Sequence, residues 1–493
     1  MCLHKGSPAI RAGGFFCDVA GTVADGVCSE ERWGSFRNEA PRYFQKQPCF
    51  LKIPRSFVLF CTGVLPAKSY LCRKIQFGSM KHTTTYAPFA KPAYVMVKPV
   101  GALCNLACRY CYYTEKVNLY RDTSKHIMSD ELLEGFVREY IGMQTTPQVL
   151  FTWHGGETLM RPLSFYRRVV ELQQKYAGGR QIDNAIQTNG TLLTEEWCRF
   201  FSENHWLVGV SLDGPQEFHD EYRRTKTGRP SFRQVMNGVR LLNRFGVEWN
   251  ALAVVNDYNA DYPLEFYRFF KDIECRYIQF TPVVERLYVH PDGRQLASPV
   301  EGADIRPADF SVTPSQWGNF LCTLFDEWVA NDVGEYYVQL FDTTLANWMG
   351  VMPGLCSMAE TCGHAAVMEF NGDVYSCDHF VFPEFKLGNI RQQTLLEMMY
   401  SPRQLQFGAD KKEKLPAQCR ECEFLFACNG ECPKNRFART DSGEPGLNYL
   451  CSGYRQFFNH VAPYMDFMKY QLMHEQAPAN VMDWIRNGKP DYE

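Results

Sequence analysis

Three cysteines set close together, Cys104, Cys108 and Cys111, are the residues of this sequence best suited to carry chemistry. Their spacing, Cys-x3-Cys-x2-Cys, brings three thiolates to a common point on a loop and supplies no fourth. A structural zinc site closes its tetrahedron with four protein ligands, whereas three ligands leave one coordination position open. In a 4Fe-4S cluster, one iron would then be free to bind a substrate or a cofactor. The spacing therefore predicts a metal centre with an open position.

A second set of cysteines lies towards the C-terminus, in a segment rich in loops, Gly and Pro. Such a segment makes few apolar contacts per residue, so something else must cross-link it. Eight thiols are enough for two four-ligand sites, but spacing alone does not separate zinc from iron. The eight are Cys356, Cys362, Cys377, Cys419, Cys422, Cys428, Cys432 and Cys451. In contrast, Cys198, Cys275 and Cys322 stand alone in apolar runs and are expected to be packing residues.

The elements that must position the first cluster form an alternating pattern. Short β-rich runs are separated by segments of helical length with apolar residues three and four apart. Six βα units in succession predict an α/β fold with a parallel sheet, curved or closed like a barrel, and with chemistry at the C-terminal strand ends. The predicted strands are 94–97, 148–153, 183–187, 207–212, 248–255 and 276–281.

Capping residues support the helices between these strands. Ser129 precedes an acidic first turn, Ser231 and Gln234 have the spacing of a capping box, and Gly246 ends the same helix. A further helix begins at Thr313, with Pro314 at its first position and Gln316 three residues after the cap.

The chain organisation follows from these patterns. Residues 1–79 lack a sustained period and are interpreted as an N-terminal extension that is dispensable or precedes the natural start at Met80. We expect a barrel-like core over 80–312, a linker helix and cysteine-rich domain over 313–475, and a tail over 476–493. With 52 Lys+Arg against 55 Asp+Glu, the net charge of −3 offers no basic excess for nucleic acid.

The sequence also points to a compartment. The first 30 residues carry charges and glycines where a signal peptide needs an uninterrupted apolar region. The most apolar stretch, 57–65, is too short to span a bilayer. We therefore expect a cytoplasmic protein without membrane contact, in which clustered cysteines indicate metal ligands before disulfides.

The first cluster resembles that of the radical S-adenosylmethionine (SAM) superfamily, and further motifs match in order along the chain. The resemblance implies a partial (β/α)6 barrel in which the three cysteines hold a SAM-binding 4Fe-4S cluster. Physically, the glycines of His154-Gly155-Gly156-Glu157 allow close backbone approach, and Glu157 offers a charge-assisted partner for the methionine ammonium. The SAM contacts implied by the resemblance are Tyr110, Gly156, Glu157, Ser211, Arg223 and Val284.

The C-terminal cysteines resemble the SPASM domain, the auxiliary-cluster extension of radical SAM enzymes that modify peptides. The resemblance implies two further 4Fe-4S clusters, which tie distant parts of a loop-rich segment together. One would be held by Cys356, Cys362, Cys377 and Cys432. The other would be held by Cys419, Cys422, Cys428 and Cys451.

Within the superfamily the chain is most similar to the anaerobic sulfatase-maturating enzymes. The motifs that carry this similarity are 186–190, 209–215 and 375–378. One departure is that Glu157 is followed by Thr158-Leu159, where the wider superfamily frequently has a proline. The resemblance implies that a 5′-deoxyadenosyl radical takes a β-hydrogen from a Cys or Ser of a sulfatase, Asp378 accepts a proton, and the auxiliary clusters remove one electron. The implied product is Cα-formylglycine, made without oxygen.

The resemblance also implies two partners, and two alternative functions stay open. The implied partners are a sulfatase polypeptide and an electron donor such as flavodoxin or ferredoxin. A radical SAM/SPASM enzyme that forms a thioether or a carbon-carbon crosslink would use the same cysteines. A non-catalytic, zinc-stabilised binding protein is the distant alternative, and it leaves the three-cysteine loop unexplained.

Overall fold

A ten-stranded sheet forms the centre of the part of the chain that the structure describes. This computed structural model describes residues 93–120, 126–290, 293–296 and 305–492. The strands are β1 (Tyr94–Lys98), β2 (Gln148–Trp153), β3 (Gln181–Thr188), β4 (Leu207–Ser211), β5 (Trp249–Val255), β6 (Tyr277–Pro282), β7 (Arg286–His290), β8 (Gly293–Leu296), β9 (Ile305–Pro307), β10 (Tyr337–Val338), β11 (Ala365–Glu369), β12 (Asp373–Tyr375), β13 (Lys386–Asn389), β14 (Ala438–Arg439) and β15 (Pro445–Leu447). Strands β1 to β6 lie side by side in chain order, and each neighbouring pair is parallel. The predicted parallel α/β arrangement is therefore confirmed.

The sheet continues beyond the six predicted strands at both edges. Strand β10 pairs in parallel with β6, and β11 pairs in parallel with β1, with Lys98 opposite Glu369. Strands β12 and β13 then follow antiparallel. The first strands of the cysteine-rich segment thus join the barrel sheet beside β1.

Helices cover the sheet in the predicted alternation. They are α1 (Asp130–Met143), α2 (Leu163–Tyr176), α3 (Glu195–Glu203), α4 (Gln216–Tyr222), α5 (Phe232–Arg244), α6 (Pro263–Asp272), α7 (Pro314–Asn331), α8 (Gln339–Trp348), α9 (Leu395–Met399), α10 (Pro402–Glu413), α11 (Ala417–Arg420), α12 (Leu425–Cys428), α13 (Cys451–Met473) and α14 (Val481–Arg486). The caps predicted at Ser129 and at Thr313 with Gln316 are confirmed, since both side chains accept the expected backbone N–H groups.

The capping box predicted at Ser231 is wrong. The Ser231 hydroxyl donates to the carbonyl oxygen of Arg223 at 2.7 Å and contacts His219 Nε2 at 3.0 Å, so it is not available to the helix. Asp220 caps α5 instead, because its Oδ1 accepts the backbone N–H groups of Ser231 and Phe232 at 2.9 Å each. Gly246 follows the end of this helix with φ +63, as predicted.

One apolar core runs under the sheet and continues into the C-terminal helices. Its largest fully buried side chains include Trp153, Trp206 and Trp317. Cys198 and Cys275 are buried in it, as expected of packing residues, and Cys322 packs against it. Among the described residues, no helix is both long enough and apolar enough to cross a bilayer. The predicted extension over 1–79 lies outside the described residues.

Candidate active site

The glycine turn after β2 packs directly against the loop that leads to the first cysteines. The Gly156 and Glu157 backbone N–H groups donate to the carbonyl oxygens of Gly101 and Leu103, both at 2.8 Å. A Cβ atom at Gly156 would lie 2.0 Å from the Leu103 carbonyl oxygen, closer than any side chain permits. Only glycine fits here, so the turn sets the position of the loop that enters Cys104.

Glu157 is fully buried and bonded within the protein. Its carboxylate accepts from Leu159 N at 2.9 Å, Thr188 Oγ1 at 2.7 Å and Asn189 N at 2.7 Å. Burial raises the pKa of Glu157, whereas these three donors lower it. A carboxylate offers about four acceptor positions, so most are already used by the protein's own groups. The sequence analysis expected Glu157 to pair with the methionine ammonium. In the structure, its carboxylate links the turn after β2 to the end of β3.

The three cysteines of the first cluster come together at this edge. Cys104 Sγ accepts from Leu106 N at 3.4 Å and from Asn189 Nδ2 at 3.7 Å. Burial raises the pKa of Cys104 to about 11 and that of Cys108 to about 12, and the charges of the grouped thiols, including Cys111, contribute to both shifts. Donors aimed at a sulfur stabilise a thiolate, so this loop fits a cluster bound by three cysteines.

Tyr110 and Arg223 share one buried carboxylate that sequence reasoning missed as a site residue. Asp213 Oδ2 accepts from the Tyr110 hydroxyl and from Arg223 Nε, the latter at 2.8 Å. Its Oδ1 accepts from Val254 N at 2.9 Å. The Arg223 guanidinium lies 5.4 Å from the Tyr110 ring centroid and contributes to lowering the pKa of Cys108 against the effect of burial. Asp213 lies within the Gly209–Pro215 motif, and this motif is the sequence signal that could have identified it as a site residue.

The ends of β3 and β4 carry polar groups suited to a ligand. Gln187 Nε2 donates to Ser211 Oγ at 2.9 Å. Gln187 Oε1 and both polar side-chain atoms of Asn250 are buried with no hydrogen-bond partner in the described part of the chain. Buried polar atoms are costly unless they are paired. The unpaired Gln187 acceptor, at the C-terminal end of β3, therefore fits a polar cofactor such as SAM, whereas Asn250 lies near the start of β5.

Val284 lies where this edge meets the cysteine-rich segment. Its side chain is fully buried. Its carbonyl oxygen accepts from the Lys434 ammonium, which also pairs with Glu285 at 3.0 Å. Lys434 follows Cys432 by two residues. The hydrogen bond from Lys434 thus links the predicted SAM contact Val284 to one of the auxiliary cysteine sets.

Asp378 belongs to a charged cluster at the C-terminal end of β1. It pairs with Lys98, which is fully buried, and accepts from the Tyr112 hydroxyl. Burial by itself raises the pKa of Asp378, but Lys98 and the nearby His154 and His379 more than offset it, so the pKa falls below its ordinary value. Sequence reasoning found Asp378 but missed Lys98 and Tyr112, although Lys98 directly follows the predicted strand 94–97 and so lies where chemistry is expected.

The eight C-terminal cysteines fall into two spatial groups. In each group, the charges of neighbouring thiols contribute to raising the pKa of cysteines of the same group. One group is Cys356, Cys362, Cys377 and Cys432; the other is Cys419, Cys422, Cys428 and Cys451. The resemblance implied the same two sets, and their assignment as cluster ligands stays a prediction.

The composition of these groups, all cysteine, suits iron-sulfur clusters. Among the described residues, no three or more His, Cys, Asp or Glu side chains lie close enough to hold one metal ion. An iron-sulfur cluster does not require such closeness, because each thiolate binds a different iron. Burial raises the pKa of Cys362 to about 11 and of Cys432 to about 12, and that of Cys428 to about 12. The three cysteine groups therefore fit one SAM-binding and two auxiliary clusters.

Comparison with known proteins agrees with this geometry. The Radical SAM superfamily matches residues 99–270, and the SPASM iron-sulfur cluster-binding domain matches residues 356–423. A serine-type anaerobic sulfatase-maturating enzyme from Bacteroides thetaiotaomicron is 72% identical over 405 residues, which cover 82% of this chain and 98% of that enzyme. The chain belongs to the anaerobic sulfatase-maturating enzymes.

Cysteine-type members and solved structures are also similar. The cysteine-type enzyme of Clostridium perfringens strain 13 is 32% identical over 375 residues, 76% of this chain and 97% of that enzyme. The structure of native anSMEcpe with bound AdoMet matches at 31% identity and a TM-score of 0.68, covering 77% of this chain and 100% of that one. The enzyme is thus a radical SAM oxidoreductase that uses SAM and iron-sulfur clusters. This sets aside the zinc-stabilised binding protein.

Proposed function

We propose that this enzyme oxidises a serine side chain of a sulfatase polypeptide to Cα-formylglycine and so activates the sulfatase. The observation that carries the proposal is the 72% identity to a serine-type enzyme along 98% of its length. Cysteine-type relatives stand at 31–32% identity. A second structure, native anSMEcpe with AdoMet and Kp18Cys peptide, supports a peptide substrate at a TM-score of 0.67.

The residues proposed to hold the cofactors are those grouped at the strand ends. When bound, SAM and its reduced cluster supply abstraction of a hydrogen atom from the substrate β-carbon, and the auxiliary clusters supply an acceptor for one electron. Arg223 and Tyr110 both donate hydrogen bonds to Asp213, which fixes their positions. They would present a preorganised charge and an aromatic ring to SAM. The proposed SAM contacts remain Tyr110, Gly156, Glu157, Ser211, Arg223 and Val284.

Asp378 is the proposed proton acceptor. Oxidation of a serine CH2–OH to an aldehyde removes a hydrogen atom from carbon, a proton from the hydroxyl and one electron. The carboxylate is kept ionised by Lys98, so it is ready to accept this proton, and Tyr112 restrains its orientation. Because Asp378 follows Cys377 directly, the proposed base sits beside an auxiliary-cluster ligand.

The test is anaerobic incubation of the iron-reconstituted enzyme with SAM, a reductant and two peptides that differ only in Ser or Cys at the target position. We expect the serine peptide to lose two hydrogen atoms by mass, in step with deoxyadenosine release. Asp378→Asn should still release deoxyadenosine but make at least tenfold less formylglycine, because only proton removal is impaired. Conversion of the cysteine peptide alone would reject the serine assignment, and an unimpaired Asp378→Asn would reject the base.

Other parts of the interpretation remain predictions. These are a cytoplasmic location, an electron donor of the flavodoxin or ferredoxin class, and domain boundaries at 79/80, 312/313 and 475/476. The tie between Lys434 and Val284 supports treating the barrel and the cysteine-rich domain as one working unit. Reduction of the purified enzyme by each donor class, followed by deoxyadenosine formation, would test the donor.

A further inference from the structure

Lys411 is a fully buried cation in the cysteine-rich segment. Its ammonium donates to the carbonyl oxygens of Cys356 at 2.8 Å, Ser357 at 2.7 Å and Ala359. The three carbonyl oxygens are neutral groups, and together they accept all three N–H groups of the ammonium. Among the described residues, no carboxylate pairs with Lys411, whereas its exposed neighbour Lys412 pairs with Glu360. A buried charge without a counter-ion is costly, so an anion is expected nearby.

The helix that carries Lys411 is built against the loops of one cysteine set. A Cβ atom at Gly408 would lie 2.7 Å from the carbonyl oxygen of Cys362, and Cys362 N donates to Gly408 O at 3.1 Å. On the same helix, Gln404 Nε2 donates to Gly363 O at 3.0 Å and Ser376 O at 3.1 Å. Helix α10 therefore holds the backbone beside Cys356, Cys362 and Cys377 and places Lys411 among them.

A second cation lies next to Lys411. The Arg436 guanidinium donates to the carbonyl oxygens of Lys411, Gly430 and Asn429, the last two at 2.8 and 2.9 Å. Its charge contributes to the pKa shifts of Cys362 in one set and Cys419 in the other. Arg436 is thus shared between the two sets, whereas Lys411 contacts the backbone of one set alone.

We propose that Lys411 is the built-in counter-cation of the auxiliary cluster that Cys356, Cys362, Cys377 and Cys432 would hold, and that it makes this cluster easier to reduce. The inference rests on the proposed function for the assignment of these ligands. A 4Fe-4S cluster bound by four thiolates is an anion, and gaining one electron increases its negative charge. A fixed buried cation stabilises the reduced form more than the oxidised form. Lys411 itself exchanges neither proton nor electron.

The test is an EPR-monitored redox titration of the full chain in a Cys104→Ala, Cys108→Ala, Cys111→Ala background, where only the auxiliary clusters contribute. For Lys411→Met we expect one of the two auxiliary signals to become at least tenfold harder to reduce, about 59 mV more negative for one electron. Lys411→Arg should restore most of the potential, because it keeps the charge. The matched control is Lys412→Met, a substitution of the exposed neighbour, which should leave both signals unchanged.

Unchanged potentials in an iron-loaded Lys411→Met would overturn the proposal, and so would equal shifts of both signals. If Lys411→Met fails to bind its full iron, Lys411→Gln decides, since its amide keeps two N–H donors for the carbonyl oxygens without the charge. The potential is independent of peptide oxidation. A selective shift together with a wild-type enzyme that makes no formylglycine would therefore support Lys411 as counter-cation and reject the proposed function.

Discussion

Lys98 is the residue on which the chemistry of Asp378 depends most directly. It has no exposed surface, pairs with Asp378 and lies 3.2 Å from the centroid of the Tyr113 ring. The Tyr113 hydroxyl in turn donates to Glu369, which is opposite Lys98 in the sheet. The proposed base is therefore held by a lysine that the central sheet fixes, as well as by its own turn.

Replacing Lys98 should leave deoxyadenosine formation in place but reduce the formation of formylglycine. For Lys98→Met we expect deoxyadenosine to form while formylglycine per deoxyadenosine falls at least tenfold, because Asp378 loses the group that keeps it ionised and in place. The measurement is the ratio of the two products, read together with the thermal midpoint, since a broken buried pair also destabilises the fold. Lys271→Met, which breaks a similar pair with Asp332 at 2.8 Å, is the control and should leave the ratio unchanged. An unchanged ratio in Lys98→Met would contradict this role.

At the scale of elements, the site depends on the close approach of two loops. The turn after β2 and the loop after β1 touch through backbone alone, because Gly156 has no side chain to separate them. Glu157 then joins this turn to the end of β3. Three strand ends are thereby held in one arrangement before any cofactor binds.

A single methyl group should disturb this arrangement. Gly156→Ala places Cβ 2.0 Å from the Leu103 carbonyl oxygen, so the loop carrying Cys104 must move, at a cost of about 1–3 kcal/mol in unfolding free energy. We expect a lower thermal midpoint and loss of iron from the first cluster, measured by iron content. Gly135→Ala in α1, where a Cβ meets nothing within 4 Å, should be neutral or slightly stabilising. Full iron content in Gly156→Ala would show that the loop tolerates the shift.

At the scale of the whole molecule, stability is unevenly distributed. The barrel has a continuous apolar core, and α13 packs closely on α7, where a Cβ at Gly453 would lie 2.2 Å from Pro314 O. Between these regions, residues 349–364 and 414–450 contain only short elements. The cysteine groups lie within or beside these segments, so cluster binding contributes directly to their folding.

Removing iron should therefore unfold one region before the other. After chelation, we expect limited proteolysis to cut within 349–364 and 414–450 first, while 130–290 remains protected by its own core. The cleavage sites are identified by mass spectrometry at several times, with the iron-loaded enzyme as reference. Equal cutting of both regions, or none, would contradict a cluster-dependent domain.

The sequence by itself determined the six strands of a parallel sheet, the caps at Ser129 and Thr313, and the cysteine positions, because these depend on local period and spacing. It misassigned the Ser231 cap, since the hydroxyl instead contacts Arg223 and His219. Only the tertiary structure paired Lys98 with Asp378, used Glu157 internally and buried Lys411 without a carboxylate. These contacts join residues far apart in the chain, and their partners follow from how the sheet and α10 pack, which no local pattern records.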